Sequence, residues 1–413
     1  MSGIRRRAVV AGAGIGGLTA AVALHRRGWQ VTVCERAPEP AAVGAGIVLA
    51  PNALRAFDSI GFDVTRAAGS AAPAALGLRR PDGRWLKHAD TGAMTARYGS
   101  PPLAVHREAL VQALTAGLPE GAIRYGAAVT SVTSVTAVTA VTAVNGTDDP
   151  AERPIVRTAS GEFTADLVIA ADGIHSPLRR QHYPAHPGLH YSGETAWRTV
   201  LPADGPAPAA AAETWGRGER FGVVPLADGR VYVYATAVAP EGYRPADLRA
   251  ELLRRYGAWH DPIPALLRRL DPAAVLQHDL HDLAAPLPRY HQGRLVWLGD
   301  AAHAMTPNLG QGGCQAIEDA VVLAHLLDGT DAAGIPGALA AYSAARCART
   351  DALRVRSRRA GRIAALTHPL AVVARDLAVR ATPARTTQRA MDDLFGGMDE
   401  FPRALPLVSR PAD

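Results

Sequence analysis

Gly12, Gly14 and Gly17 form the first pattern that could do chemistry, because they follow an apolar run and precede a helical one. Gly12 permits a tight turn, Gly14 lets a pyrophosphate approach the backbone, and Gly17 lets helix and strand pack closely. The start of that helix then offers free amides and a favourable dipole to the phosphate charge. Glu35 ends the next apolar strand, where a carboxylate can bind the hydroxyls of a ribose. The pattern predicts a dinucleotide-binding site.

Two further patterns also follow apolar strands: ADGIHSPLR at residues 171–179 and GDAAHAMTPNLGQGG at residues 299–313. Asp300 stands where a strand of a parallel sheet ends, which is where ligands bind in such folds, and it could take a sugar hydroxyl. Three glycines close the third pattern: Gly310, Gly312 and Gly313. Their bare amides at a helix start would stabilise negative charge developing on a flat heterocycle. Because no catalytic constellation of a nicotinamide dehydrogenase accompanies these patterns, they favour FAD over NAD(P).

The elements that must position these residues are strands and helices of an α/β fold. Solid apolar strands are predicted at residues 8–11, 31–34, 167–171 and 295–298, as in a buried parallel sheet. Residues 195–201, 221–226 and 231–237 alternate or are β-branched, which predicts an inserted antiparallel layer. Helical patterns cover residues 312–327 and 338–366. We therefore expect a Rossmann-like domain with an inserted antiparallel β-sheet domain and C-terminal helices.

The three motifs together resemble the FAD-dependent aromatic hydroxylases of the para-hydroxybenzoate hydroxylase type, the group A flavoprotein monooxygenases. The likeness covers about residues 7–365. The resemblance implies a discontinuous FAD domain of residues 1–70, 101–180 and 291–350. It implies a substrate domain of residues 71–100 and 181–290, followed by a helical region of residues 351–413. It also implies FAD contacts by a set of residues along the chain: Gly12, Gly14, Ile15, Gly17, Glu35, Arg36, Gly46, Ile47, Arg107, Asp172, Gly299, Asp300, Pro307, Gly310, Gly312 and Gly313.

The same resemblance places a substrate over the flavin and against the inserted sheet. The candidates for contact are these: Trp197, Arg198, Phe221, Tyr232 or Tyr234, Met305 and Pro307. Arg198 could bind a phenolate or carboxylate, and a structural arginine at the sheet edge is an equal reading. His303 is interpreted as a packing histidine. No general base is assigned.

In the chemistry that the resemblance implies, NADH or NADPH reduces FAD. A flavin hydroperoxide then inserts one oxygen atom into an aromatic small molecule, and a phenol is the first candidate. Three alternatives remain open: an epoxidase of an alkene in the same fold, a flavin reductase or dehydrogenase, and a nucleotide-sensing binding protein. A reductase often carries a second nucleotide fingerprint or a Cys-x-x-Cys pair, and the sequence has neither.

Composition limits the other possibilities. The 413 residues are 48% hydrophobic and 20% charged, which excludes wholesale disorder. Three dispersed cysteines suit neither a disulfide framework nor a zinc site, and no apolar run could span a membrane, so we expect a cytoplasmic protein without metal or membrane partner. The net charge of +6 rests largely on arginines at residues 346–362, whose spacing suits a solvated helix face rather than a nucleic-acid site. A monomer and a homodimer are both compatible with the sequence. The Thr/Val repeat at residues 130–144 predicts an expanded hairpin at a sheet edge and receives no function.

Overall fold

The computed structural model describes residues 6–40, 45–70, 72–73, 75–133, 153–205, 208 and 210–396. Its strands are β1 Arg7–Ala11, β2 Gln30–Cys34, β3 Gly46–Leu49, β4 Ala75–Arg79, β5 Trp85–Asp90, β6 Leu103–His106, β7 Ile123–Arg124, β8 Val129–Thr133, β9 Ile155–Thr158, β10 Gly161–Thr164, β11 Leu167–Ala170, β12 Leu189–Leu201, β13 Ala211–Trp215, β14 Glu219–Pro225, β15 Val231–Val238, β16 Leu276–Leu283, β17 His291–Gln292 and β18 Leu295–Trp297. Its helices are α1 Ile15–His25, α2 Pro51–Ser59, α3 Val64–Ala68, α4 Thr91–Tyr98, α5 Arg107–Ala116, α6 Pro177–His182, α7 Leu248–Tyr256, α8 Ile263–Arg269, α9 Asp300–His303, α10 Gly312–Leu326, α11 Ile335–Ala364, α12 Pro369–Ala381 and α13 Ala384–Phe395.

The first sheet is the predicted Rossmann-like layer. Its strand order is β17-β18-β11-β1-β2-β7, and every pairing except β17 with β18 is parallel. Strands β1, β11 and β18 are almost wholly buried, which explains why their sequences are solid apolar runs rather than alternating ones. The strand ends that carry the three motifs therefore meet at one edge, since parallel strands end on the same side of a sheet.

The second sheet is the inserted antiparallel layer, with the order β16-β12-β15-β14-β13-β4-β5. Both chain segments predicted for the substrate domain contribute strands to it. On β12 and β15, Arg198 pairs with Tyr234 and Val200 pairs with Tyr232, so these four side chains share one face. The opposite face carries Trp197 and packs on α7 and α8. The sheet thus has a helix-covered side and a side turned to the first domain.

Two small sheets complete the framework. β3 and β6 form an antiparallel pair beside the parallel sheet, and β8, β9 and β10 form a three-stranded sheet. The Thr/Val repeat enters β8, and its residues beyond Thr133 lie outside the described residues.

The predicted boundary between the FAD domain and the C-terminal helical region falls inside a helix. Residues 350 and 351 lie in α11, a continuous helix of 30 residues. Nothing in this stretch breaks a helix, because its proline, Pro336, occupies the first turn, where its missing amide costs nothing.

Candidate active site

The three glycines after β1 build a turn that is closed on one side and open on the other. Gly12 has φ +105°, and a Cβ there would lie 2.4 Å from the carbonyl oxygen of Ala171. A Cβ on Gly17 would lie 2.1 Å from the carbonyl oxygen of Gly12, whereas one on Gly14 would meet nothing within 4 Å. Gly14 also caps α1 without any side-chain hydrogen bond. The helix start therefore keeps its amides directed at open space, as an anion site requires.

Glu35, at the end of β2, fixes this turn. Its Oε2 accepts the Ala13 N–H at 2.7 Å and its Oε1 accepts the Ala37 N–H at 2.9 Å. Each carboxylate oxygen retains a second lone pair for a ribose hydroxyl. Arg36 follows directly and is exposed.

The second motif is tied to the third by a buried arginine that the sequence analysis did not assign to the site. Arg179 is 3% exposed and donates to the carbonyl oxygens of Asp300 (3.3 Å) and Ala301 (3.0 Å). Asp172 accepts the Leu178 N–H at 3.2 Å, while its Oδ1 has no partner among the described residues. Burial raises the pKa of this carboxyl group. The only signal for Arg179 in the sequence was its place at the end of the motif.

The third motif begins with a strained glycine that a buried carboxylate holds in place. Gly299 has φ +59°, and its N–H donates to Asp319 Oδ2 at 2.9 Å. Further along, Pro307 opens a short 3₁₀ turn, Pro307–Leu309, which ends at Gly310 with φ +63°. A Cβ on Gly310 would meet nothing within 4 Å, so the backbone is open to a ligand there.

The start of α10 collects several of the predicted residues. A Cβ on Gly312 would lie 3.9 Å from Asp300 Oδ1 and 3.9 Å from Met305 Cγ. A Cβ on Gly313 would lie 2.9 Å from Ile47 Cδ1, which brings β3 to the same place. Asp300 is exposed, so its carboxylate is available beside the free amides of the helix.

Arg107 marks a cleft between the two sheets. Its side chain is open to solvent, yet burial by surrounding protein lowers its pKa, a combination expected of a cleft wall. The charge of Asp300 opposes this shift and the charge of Arg198 adds to it, so these three groups lie near one another. Tyr232 shares the sheet face of Arg198, and burial raises its pKa while Arg198 and Arg107 lower it.

The two faces of the second sheet decide which substrate candidates reach this cleft. Tyr232 is on the cleft side, since a Cβ on Gly46 of β3 would lie 2.5 Å from its Cγ. Trp197 and Phe221 are instead buried against the helices α7 and α8, at 2% and 1% exposure. Their assignment as substrate contacts is corrected, because alternation along a strand places them on the face opposite Arg198 and Tyr232.

A second arginine that the sequence analysis did not assign to the site links the second sheet to the turn Pro307–Leu309 of the third motif. Arg220 is 3% exposed and donates to Glu194 Oε1 (2.8 Å), Thr236 Oγ1 (2.9 Å) and Asn308 Oδ1 (2.6 Å). Asn308 in turn donates to the Ser357 carbonyl oxygen at 3.0 Å. The turn Pro307–Leu309 is therefore held from both sides. Period-2 counting from Tyr234, which lies opposite Gly222, could have placed Arg220 on the cleft face.

Behind the third motif lies a buried charged cluster formed by His303, Glu318, Asp319 and Arg346. Asp319 accepts from Arg346 Nε at 2.6 Å and pairs with His303 Nε2 at 2.5 Å, and Arg346 Nη1 donates to Glu318 Oε2 at 2.7 Å. Burial alone would raise the pKa of Asp319, but His303 and Arg346 outweigh it and bring the pKa to about 2. The packing interpretation of His303 is thereby supported. The expectation of a solvated Arg346 is wrong, because this side chain is 2% exposed.

The residues present fit an FAD-type dinucleotide on observations of this structure alone. An uncapped helix start faces open space at Gly14, a carboxylate stands at the adjoining strand end, and Gly310 offers open backbone beside the start of a second helix. These are donors for a diphosphate and for a flat electron-poor ring, and an acceptor for a ribose.

Comparison with known proteins gives the same assignment. The model of the FAD binding domain family matches residues 5–357. The aurachin C monooxygenase/isomerase of Stigmatella aurantiaca is 40% identical over 86% of this chain and 88% of its own length. The 2-heptyl-3-hydroxy-4(1H)-quinolone synthase of Pseudomonas aeruginosa is 35% identical over 95% of this chain and 98% of its own. Among solved structures, Klebsiella pneumoniae HpxO with FAD and uric acid has 30% identity and a TM-score of 0.83, with 95% of this chain and 97% of that chain covered.

Proposed function

Because the chain belongs to the family of FAD-dependent aromatic hydroxylases, which are flavoprotein monooxygenases, we propose that it hydroxylates an oxygen-bearing aromatic or N-heteroaromatic ring in the cleft between its two sheets. The observation that carries this proposal is a shared wall of the cleft: Arg198 and Tyr232 lie on one face of the second sheet, Tyr232 packs against Gly46 of β3, and the Arg107 N–H donates to the Ala45 carbonyl oxygen beside it. A flat ring against Tyr232 would have cationic groups within reach of its oxygen substituents.

The proposed FAD ligands are the sixteen residues of the sequence analysis, with the diphosphate at the Gly12–Gly17 turn and the ribose at Glu35. The flavin ring would lie at Gly46, Ile47 and the α10 amides. Bound FAD supplies the transfer of electrons from NAD(P)H to dioxygen and of one oxygen atom to the substrate. Arg179 and Arg220 would position the loops that carry these contacts, because both are buried and hydrogen-bonded to them.

The electron donor NADH or NADPH has a candidate approach beside the second motif. A cavity of about 190 Å³ there is lined by His175, Arg179, Arg180 and His186, among others. Burial lowers the pKa of His175, and His281, Arg180, Arg179 and Arg36 lower it further, so the surroundings are basic. Such a cavity suits the phosphates of a nucleotide.

The substrate class follows from the polarity of the cleft. Burial lowers the pKa of His278, and Arg198, Arg244 and Arg107 lower it further against the opposing charge of Asp279. HpxO is described with uric acid, and the Pseudomonas relative is named for a hydroxylated quinolone. A ring that carries a phenolate, carboxylate or keto oxygen would be bound by Arg198, while Tyr232 and Met305 would supply apolar contact.

The protein's own part in the reaction is positioning and the exclusion of water. Tyr232 is 8% exposed and Met305 is 9% exposed, so a ring bound against either side chain would be shielded from solvent. The α10 dipole and its free amides would stabilise negative charge on the adjacent ring. We propose that the reaction takes place in the cytoplasm; the buried thiols Cys34 and Cys314, whose pKa values burial raises, suit a reducing compartment.

The test is oxygen incorporation by the purified yellow protein. NAD(P)H oxidation would be followed with hydroxybenzoates, quinolones and oxidised purines, and the products would be examined by mass spectrometry after reaction under ¹⁸O₂. We expect one compound class to accelerate NAD(P)H oxidation and to gain a single ¹⁸O atom on the ring. Stimulated NAD(P)H oxidation that yields only hydrogen peroxide with every compound would contradict the proposal and favour a flavin reductase.

A further inference from the structure

Helix α12 is amphipathic, with its apolar face turned to solvent and its charged face buried. Its exposed face carries Leu370, Val373 and Leu377, which are 73%, 52% and 60% exposed and recur at the i, i+3, i+7 spacing of one helix side. Its inner face buries the charged pair Arg375 and Asp376, at 5% and 4% exposure. A helix that only covers a globular core shows the opposite arrangement.

The two buried charged side chains of α12 both have hydrogen-bond partners, and these bonds fix the orientation of the helix. Arg375 donates to Asp376 Oδ1 at 2.8 Å and to the carbonyl oxygens of Gly216 (3.1 Å) and Ala364 (3.0 Å). These bonds anchor α12 to the second sheet and to the end of α11. Rotating the helix to bury its leucines would remove the donor of the carbonyl oxygens of Gly216 and Ala364, which costs free energy.

Exposed aliphatic side chains are concentrated on this helix. Six large aliphatic side chains are exposed in the described part of the chain, and three of them belong to α12. A fourth, Val238, lies beside Thr367 just before the helix, since a Cβ on Gly218 would contact both side chains. Contiguous apolar surface of this kind marks a binding surface.

Exposed arginines predominate in the helices around this face, and the acidic residues that follow them, Asp392 and Asp393, pair with Arg97 and Arg356. Within the described stretch 359–391, five arginines are exposed: Arg359, Arg362, Arg380, Arg385 and Arg389. The single acidic residue of that stretch, Asp376, is buried and paired. An apolar stripe on a basic surround is the pattern of a helix that lies in the headgroup layer of an anionic bilayer.

We propose that α12 and the exposed arginines around it dock this protein on an anionic membrane surface, a partner that the sequence analysis did not expect. A second copy of the chain fits less well, because a two-fold interface would set the arginines of one protomer against those of the other. No helix in the described part of the chain is long and apolar enough to cross a bilayer, so the contact is peripheral. The proposal is independent of the hydroxylase chemistry.

The test is co-sedimentation of the FAD-loaded full chain with phosphatidylcholine vesicles, with and without phosphatidylglycerol. We expect binding to the anionic vesicles only, weakened by added salt because screening acts on exposed arginines. The triple variant Leu370→Ser, Val373→Ser, Leu377→Ser should reduce the partition coefficient at least about tenfold, given the apolar area it removes. The variant Arg380→Gln, Arg385→Gln, Arg389→Gln should weaken binding and its salt dependence together.

Val355→Ser is the matched control, because Val355 is 51% exposed on α11 and outside the α12 face. Its binding should equal that of the unaltered protein, and all variants should retain flavin absorbance and melting temperature. Failure of the unaltered protein to bind anionic vesicles, or undiminished binding by the triple serine variant, would overturn the proposal. A dimer in light scattering that the triple serine variant converts to monomer, without vesicle binding, would assign the face to self-association instead.

Discussion

At the residue scale, Asp300 is the most direct test of the proposed cofactor site. It is exposed and lies beside Gly312 and Met305, so removing its carboxylate should cost a hydrogen bond to the cofactor and little folding stability. We expect Asp300→Ala to raise the dissociation constant for FAD at least about tenfold, as a charge-assisted hydrogen bond implies. The ratio of flavin to protein absorbance after gel filtration measures this. Asp328→Ala, which removes an exposed carboxylate elsewhere, is the control, and a fully yellow Asp300→Ala protein would contradict the assignment.

Arg198 separates substrate binding from sheet structure. It shares the cleft face with Tyr232 and Tyr234, whereas Trp197 beside it faces α7 and α8. We expect Arg198→Met to lower kcat/KM for an anionic substrate about 10- to 100-fold, and Arg198→Lys to lower it less because the charge remains.

The contrast with Trp197 makes this prediction specific. Trp197→Phe should lower the melting temperature, because it truncates a side chain that is 2% exposed, and should leave KM unchanged. Steady-state kinetics and thermal unfolding of both variants measure the two effects. An unchanged kcat/KM in Arg198→Met would leave Arg198 as a structural residue of the sheet edge.

Whether the role of a residue can be predicted from the sequence depends on how close in the chain its contacts lie. The turn at Gly12 was predictable because its glycines are required by contacts within a few residues and one neighbouring strand. The sheet face on which Trp197 lies was not predictable. A side-chain period of two separates the two faces of a strand but does not say which layer covers each face. Arg220 acts through Asn308, 88 residues further on, and no local pattern reports such a pair.

At the element scale, the start of α10 depends on the buried cluster beneath it. Arg346 neutralises Glu318 and Asp319. Asp319 also accepts the N–H of Gly299, whose backbone has a positive φ. Removing one partner of such a buried group leaves an uncompensated charge, so Arg346→Met should lower the free energy of unfolding by about 3–5 kcal/mol. Denaturant unfolding measures it. Arg359→Met on the exposed side of the same helix is the control and should change the free energy of unfolding by less than about 0.5 kcal/mol.

The same cluster gives a pH dependence with a defined sign. The pKa of Asp319 is about 2 in the folded protein and about 3.9 for an unfolded aspartate. A group with a lowered folded pKa stabilises the protein above its unfolded pKa and loses that contribution as the pH falls towards the folded value. Between about pH 4 and pH 2 the stability of the unaltered protein should therefore fall more steeply than that of Arg346→Met. Equal slopes in acid would contradict the coupling of Asp319 to Arg346.

Helix α12 was the least predictable element. Its sequence, PLAVVARDLAVRA, has the apolar content of a core helix and a central charged pair that resembles a solvent face. In the structure the charged pair is buried and the leucines are exposed. This orientation arises because Arg375 donates to the carbonyl oxygens of Gly216, just after β13, and of Ala364, the last residue of α11. Partners so far apart in the chain decide the orientation, and periodicity alone carries no information about them.

At the scale of the whole molecule, α13 joins the C-terminal helices to α4, which lies in the segment predicted for the substrate domain. Arg97 and Tyr98 of α4 both bind Asp392, and the ring of Phe395 packs edge-on against Tyr98 with centroids 5.1 Å apart. Arg349 of α11, which also binds Glu318 of the buried cluster, reaches the Leu394 carbonyl oxygen at 3.3 Å. The helix therefore connects α4, α11 and, through Glu318, the region behind the third motif.

This arrangement predicts a hierarchy of effects. Phe395 is 7% exposed, so Phe395→Ala should lower the free energy of unfolding by about 3 kcal/mol through lost burial and a residual cavity. Asp392→Asn should have a much smaller effect, because its partner Arg97 is half-exposed and solvent screens the pair. If α13 is held mainly by its aromatic contact, limited proteolysis near residues 383–396 should accelerate in Phe395→Ala and remain slow in Asp392→Asn. The reverse order would mean that the ion pair, rather than the packing of Phe395 on Tyr98, holds the C-terminal helices against α4.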